Sequence, residues 1–171
     1  MATLNAGGPP KVSAPGGLAS NALKEKPLAN SIDISGGGTH NVTVTIPSGE
    51  TLTVDAQLAN TSTITVTPGA VLIADKLSFI LPAKTITLQA TDPNTGGELE
   101  IKQLPPITHA DFFANHLTLT FASGSQATLN TAPSPLGLYH ASQTPQGDFF
   151  FAPPTISIPA TAHAIPTTLH P

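Results

Sequence analysis

The sequence predicts an all-β protein, with a short β-solenoid or β-sandwich (jelly-roll) body between an extended Gly/Pro-rich N-terminal arm and a Pro-rich C-terminal arm. Three observations carry this prediction. Thr alternates with Val, Ile and Leu through the middle of the chain, a strand–turn–strand unit recurs, and Gly and Pro are concentrated in the two flanking regions. Alternation with a period of two is typical of strands, because successive side chains point to opposite faces of a sheet.

The first region, residues 1–30, is rich in Gly, Pro, Ala and Asn. Its one helix-compatible stretch, residues 19–26, is short because Pro27 stops it. We therefore predict an extended arm, and we expect Leu18 and Leu23 to contact a neighbouring subunit.

The second region, residues 31–132, is predicted to be the Thr-rich β body. Aliphatic side chains would form its inner face, while Thr, which is both β-branched and polar, would form the outer face. The clearest alternating segments are residues 42–46, 51–54, 63–67, 85–88 and 117–121.

A repeat within the body indicates coils or hairpins. Residues 46–55 match residues 66–75 at a Gly, a Leu and an Asp, and looser copies begin at Leu81 and Phe121. Such units fit either the stacked coils of a solenoid or the hairpins of a sandwich, and the repeat does not decide between these two architectures. Residues 41–90 resemble the β-solenoid segments of phage tail-fibre and bacterial surface proteins, and this resemblance implies stacked coils.

The third region, residues 133–171, contains eight prolines. Proline cannot donate to a sheet ladder, so this density predicts a C-terminal extension with edge strands and extended segments but no central strand.

Composition excludes several classes of protein. The chain has no Cys, which removes disulfide scaffolds, thiol catalysis and cysteine zinc sites. Its net charge is −4 and all six basic residues are Lys, so we expect no nucleic-acid partner. No stretch is apolar for the ~18 residues of a membrane span, and no secretory signal is recognisable, so we expect synthesis in the cytosol.

Three residues would form a metal site if the chain had one: His109, Asp111 and His116. Imidazoles and a carboxylate are suitable ligands, but their spacing matches no standard motif. We favour a loop with exposed polar side chains, and we predict neither a metal nor a cofactor.

Two acidic segments contain residue types suited to metal binding or catalysis. Residues 92–98 contain oxygen ligands and glycines, yet an Asp–Pro start followed by two glycines predicts a hairpin turn rather than a calcium loop. Glu98 and Glu100 would share a strand face, and paired carboxylates can hydrolyse glycosides. No cleft or aromatic platform is evident beside them, so we predict no catalytic residues and a protein that is not an enzyme.

The strongest interface signal is the run Phe149, Phe150 and Phe151. Three consecutive side chains cannot face one core from a strand, so at least one is expected to reach a second surface. Ile156 and Ile158 alternate with Ser157, and this segment could add a strand to a neighbour's sheet.

These features together predict a structural self-assembling protein whose arms hold neighbouring subunits. A virion component (phage capsid, decoration or tail) fits best. The alternatives are an extracellular filament subunit and a receptor- or glycan-binding fibre module. The expected partners are copies of the chain in a homo-oligomer or lattice, with other structural proteins beside them, and the expected location is a virion or an extracellular assembly.

Overall fold

The computed structural model describes residues 11–12, 31–133, 139–154 and 158–170. Leu18, Leu23 and Ile156 lie outside these residues. One short helix, α1, spans Leu77–Ile80. The other regular elements of these described residues are strands: β1 Lys11–Val12, β2 Ser31–His40, β3 Thr43–Ile46, β4 Thr51–Leu58, β5 Thr63–Val66, β6 Val71–Ala74, β7 Thr85–Leu88, β8 Ala90–Asp92, β9 Thr95–Gly96, β10 Glu98–Ile101, β11 Ile107–Phe112, β12 Leu117–Phe121, β13 Gln126–Leu129, β14 Thr131–Pro133, β15 His140–Gln143, β16 Phe149–Ala152, β17 His163–Ala164 and β18 Thr167–Leu169.

Two sheets form the body. The first has eight strands in the order β1, β2, β4, β6, β10, β16, β15 and β17; its strands from β1 to β10 pair in parallel, and those from β10 to β17 pair antiparallel. The second contains β3, β5, β7 and β14 in that order, all paired in parallel. From β2 to β7, successive strands along the chain alternate between the two sheets, so each of these coils contributes one strand to each. This connectivity is that of a β-solenoid, and the parallel pairing replaces the hairpins that a sandwich would require.

In-register stacking explains the Thr–aliphatic alternation. In the first sheet, Leu52 pairs with Leu72, and Leu72 pairs with Leu99. In the second, Ile64 of β5 lies between two aliphatic neighbours in the strands on either side. The aliphatic columns are buried within the body, whereas the Thr residues between them lie on the outer surface. The predicted inner and outer faces are confirmed.

The 20-residue repeat corresponds to one corner of the coil. Gly49 and Gly69 both adopt a positive φ, 82° and 81° respectively, which favours Gly. The Gly49 N–H donates to the Gly69 carbonyl at 3.0 Å, and the Gly69 N–H donates to Gly96 at 3.2 Å. Hydrogen bonds between corners therefore continue those of the sheets.

The looser copies of the repeat have other roles. The segment that begins at Leu81 leads from α1 into β7. The segment that begins at Phe121 forms the turn between β12 and β13, which pair antiparallel. Strands β13, β12, β11 and β18 form a separate four-stranded sheet. Local similarity to a coil corner therefore did not identify a coil here.

Two local predictions have definite outcomes. The hairpin turn is confirmed, because β8 pairs with β9 and the Asn94 N–H donates to Asp92 Oδ1 at 2.8 Å. The expected absence of a central strand after residue 132 is wrong, because β16 lies between β10 and β15. Pro145 and Pro153 lie outside this strand and leave its ladder intact.

Candidate functional site

The predicted loop around the metal candidates is wrong for two of them, because His109 and Asp111 lie in strand β11, whereas His116 lies between β11 and β12. His109 and Asp111 point to its outer face, while Ala110 and Phe112 are buried on the inner face. Strand β18 pairs with β11 in parallel, and this pairing places Thr168 beside Asp111. Strand alternation therefore positions the two candidates, and strand pairing adds residues from the other end of the chain.

A polar cluster forms where these strands meet. His170 Nε2 lies 3.0 Å from Asp111 Oδ1, and His109 Nε2 lies 3.4 Å from the same oxygen. His109 Nε2 also lies 2.8 Å from Thr168 Oγ1. We refer to His109, Asp111, Thr168 and His170 as the β11–β18 cluster.

His116 does not join this cluster directly. Its ring stacks on Phe113 with the centroids 4.2 Å apart, and Phe113 stacks on His170 at the same distance. The predicted set of three is therefore divided, with His170 in contact with Asp111 instead of His116. Sequence spacing could not reveal this, because His170 is 59 residues from Asp111.

The geometry of the cluster limits its chemistry. A nucleophilic triad needs the carboxylate and the hydroxyl on different imidazole nitrogens. Here His109 Nε2 contacts both, so Thr168 is not activated in that way. Among the described residues, no three His, Asp or Glu side chains have the geometry to hold a metal ion. The contacts instead join β18 to β11.

Strand β10 carries two glutamates whose pKa values are raised. Burial, reinforced by the nearby charge of Glu100, raises the pKa of Glu98 from 4.5 to about 7. Burial also raises the pKa of Glu100 above its ordinary value. The pKa of the Tyr139 phenol is raised, chiefly by burial and further by Glu98. Its hydroxyl lies against Gly96 and has no hydrogen-bond partner among the described residues. As predicted, Glu98 and Glu100 lie on the same face of β10, and both side chains are partly buried. Strand β10 pairs with β6 on one side and with β16 on the other.

The phenylalanine run lies in β16 and its side chains divide between two faces. Phe149 and Phe151 are fully buried, and Phe151 stacks on Phe112 with ring centroids 4.3 Å apart. Phe150 is only partly buried on the opposite face, in register with Glu100. Two of the three thus belong to the chain's own core, whereas Phe150 remains partly exposed. Ile158 is partly buried as well.

One carboxylate lies buried at a coil corner. Glu50 is 1% exposed, and neither of its carboxylate oxygens has a hydrogen-bond partner among the described residues. The corresponding position in the next coil is Ala70, which is fully buried. This position therefore accepts a small apolar side chain without loss of the corner.

Strand β3 is the last strand of the second sheet at one end among the residues that the structure describes. In the described part of the chain, β3 pairs with β5 on one side and with no strand on the other. Strand β3 contains neither a charged residue nor a proline. Natural edge strands are usually protected by such residues, because exposed N–H and C=O groups accept another strand.

Comparison with known proteins gives no assignment: neither a protein-family model nor a curated protein matches the chain. No helix in the described ranges is both long enough and apolar enough to cross a membrane.

Proposed function

We propose that this protein is a structural subunit that assembles with copies of itself. The edge of β3 carries the proposal, because within the described residues no strand pairs with its outer side and the strand contains neither a charged residue nor a proline. Within this class we favour a virion component, such as a capsid, decoration or tail subunit. Such a subunit is made in the cytosol and reaches its site within the particle.

Main-chain hydrogen bonds alone would not offset the free-energy cost of association, so apolar burial would also have to contribute. Each hydrogen bond at the edge contributes about 0.5–1.5 kcal/mol. Association costs about 4–15 kcal/mol in lost translational and rotational freedom. Phe150 and Ile158 are partly exposed in the single chain, and burial of such side chains adds about 1.5–3 kcal/mol each. We therefore propose that a neighbouring subunit covers both an edge and these side chains.

The edge is tested by one charged substitution and a matched control. Thr45→Lys places a cation on the edge strand, whereas Thr87→Lys places it on the same sheet face in β7, which has strands on both sides. We expect light scattering to show assemblies for the unmodified chain and for Thr87→Lys, and single chains for Thr45→Lys. Equal assembly by both variants would contradict a role for the edge.

The apolar contact is tested separately. Phe150→Asp and Ile158→Asp are each expected to weaken assembly in sedimentation, because each would place a carboxylate in an apolar contact. Circular dichroism controls for folding, since both side chains lie outside the fully buried core. Full assembly by both folded variants would show that other segments form the contact.

Mass spectrometry of purified particles tests the virion assignment, which fails if the chain is absent from them.

A further inference from the structure

We infer that the outer face of β3, β5 and β7 binds a crystalline lattice of water, that is, the surface of ice. This inference goes beyond self-assembly and does not depend on it. It follows from the composition of this face, from the regular spacing of its hydroxyls, and from the capacity of those hydroxyls to bond outward.

The face consists of two columns of threonine. Strands β3, β5 and β7 contain only Thr, Val, Ile and Leu, and every aliphatic side chain among them is buried. The threonines stay partly or fully exposed on the outer face, and in-register pairing aligns them in a Thr43 column and a Thr45 column. The first column contains Thr43, Thr63 and Thr85, and the second contains Thr45, Thr65 and Thr87. We refer to these six residues as the threonine array.

The threonine array is regular in two directions. The three strands pair in parallel with no register shift between them. Neighbouring strands lie about 4.8 Å apart, and two residues along a strand span about 6.6 Å, so the side chains repeat on a nearly rectangular lattice. Because threonine is β-branched, its χ1 angle is restricted, and the array is ordered before any ligand binds. A ligand that contacts the whole array must therefore have repeats of similar length.

Ice meets this condition. The oxygen atoms on the prism face of hexagonal ice form a rectangular lattice, with one repeat close to the strand separation and the other close to the two-residue repeat. A single hydroxyl would not distinguish ice from liquid water, because both offer it similar hydrogen bonds. An ordered array does distinguish them, since only the crystal offers several partners at fixed positions simultaneously.

The hydroxyls of the array can bond outward. Among the residues that the structure describes, those of the Thr45 column make no hydrogen bond. In the Thr43 column, Thr63 donates to Thr43 at 3.4 Å and Thr85 donates to the Lys84 carbonyl at 2.7 Å. A hydroxyl that donates one bond can still accept others, so water molecules of the crystal can bind to both columns.

The composition of the face disfavours other ligands. Its three strands contain no charged side chain, so they offer nothing to pair with a phosphate group or an anionic lipid. They contain no aromatic ring on which a sugar could stack. The first sheet has no such array, because Thr51 and Thr53 pair in register with Val71 and Ile73. A neutral, periodic, hydrogen-bonding partner therefore fits the second sheet.

Nanolitre osmometry tests the inference, because it measures the gap between the melting and freezing temperatures of an ice crystal in the protein solution. For the unmodified chain we expect faceted crystals and a gap that widens with protein concentration. Thr65→Lys and Thr87→Lys should each narrow the gap several-fold, because a long charged side chain within the array would hold the crystal away from the remaining hydroxyls.

The matched control is Thr53→Lys, which makes the same substitution on the outer face of the first sheet, in a strand that also has neighbours on both sides. It should retain the full gap, and circular dichroism checks that all three variants are folded. The inference is overturned by the absence of a gap for the unmodified chain at millimolar concentration. An undiminished gap in both folded array variants, or an equal loss in Thr53→Lys, would overturn it too.

Light scattering of the same samples separates this inference from self-assembly. Assemblies without a gap would overturn ice binding and leave self-assembly standing. A gap produced by single chains would support ice binding and contradict self-assembly. If no gap is seen and Thr65→Lys loses assembly, the array contacts a second copy and not ice.

Discussion

Glu98→Gln provides a sharp test of the electrostatics of β10. The carboxyl of Glu98 has its pKa raised from 4.5 to about 7, because burial and Glu100 both disfavour the charged form. Between these two values the folded chain holds a proton that the unfolded chain has released. The stability of the folded state therefore falls as pH rises through this window, and it levels off above about 7.

The size of the effect follows from the same shift. Each tenfold change in proton affinity corresponds to about 1.4 kcal/mol, so the full change from 4.5 to about 7 would correspond to about 3.4 kcal/mol. Glu98 is only partly buried, and solvent screening reduces this to about 1–2 kcal/mol. We expect the free energy of unfolding to be lower by this amount at pH 8 than at pH 5.

Urea unfolding followed by far-UV circular dichroism measures this difference. Glu98→Gln is expected to remove most of the decrease between pH 5 and pH 8, and to exceed the unmodified chain in stability at pH 8. Asp55→Asn is the control, since it removes an exposed carboxylate from the same sheet. The reasoning is refuted if Glu98→Gln retains the full decrease, or if Asp55→Asn removes it.

Three further outcomes are expected. Glu50→Ala should raise the free energy of unfolding by about 1–3 kcal/mol in urea titrations, because Ala70 shows that the corner accepts alanine and no unpaired carboxylate then remains buried; a loss of stability would contradict this. His170→Ala should speed hydrogen exchange in β18, since the contacts with Asp111 and Phe113 are lost; unchanged exchange would show that main-chain pairing alone holds this strand. Assemblies should persist in about 1 M NaCl, where the Debye length is about 3 Å; their dissociation by salt alone would contradict apolar contacts.

Local patterns predicted the strands and their faces. Thr alternation identified most strands of the body, because one face of each is buried and the other is solvated. The match between residues 46–55 and 66–75 located successive coils, because both contain a corner where Gly adopts a positive φ. Sequence could not separate solenoid from sandwich, since strand direction depends on which strands pair.

Local sequence patterns could not predict the long-range contacts, for the same reason. Phe149 and Phe151 enter the core because β16 pairs with β10, and no local pattern encodes that pairing. The β11–β18 cluster joins His170 to Asp111 only after β18 has paired with β11. Proline density misled the prediction for β16, because its position relative to the strand mattered more than its frequency.

Sedimentation equilibrium over a range of protein concentrations tests the central claim, self-assembly, most directly. The unmodified chain is expected to show an average mass that rises from 17.4 kDa to at least twice that value as concentration increases, while Thr45→Lys remains at 17.4 kDa. A mass of 17.4 kDa for the unmodified chain at every concentration would contradict the account.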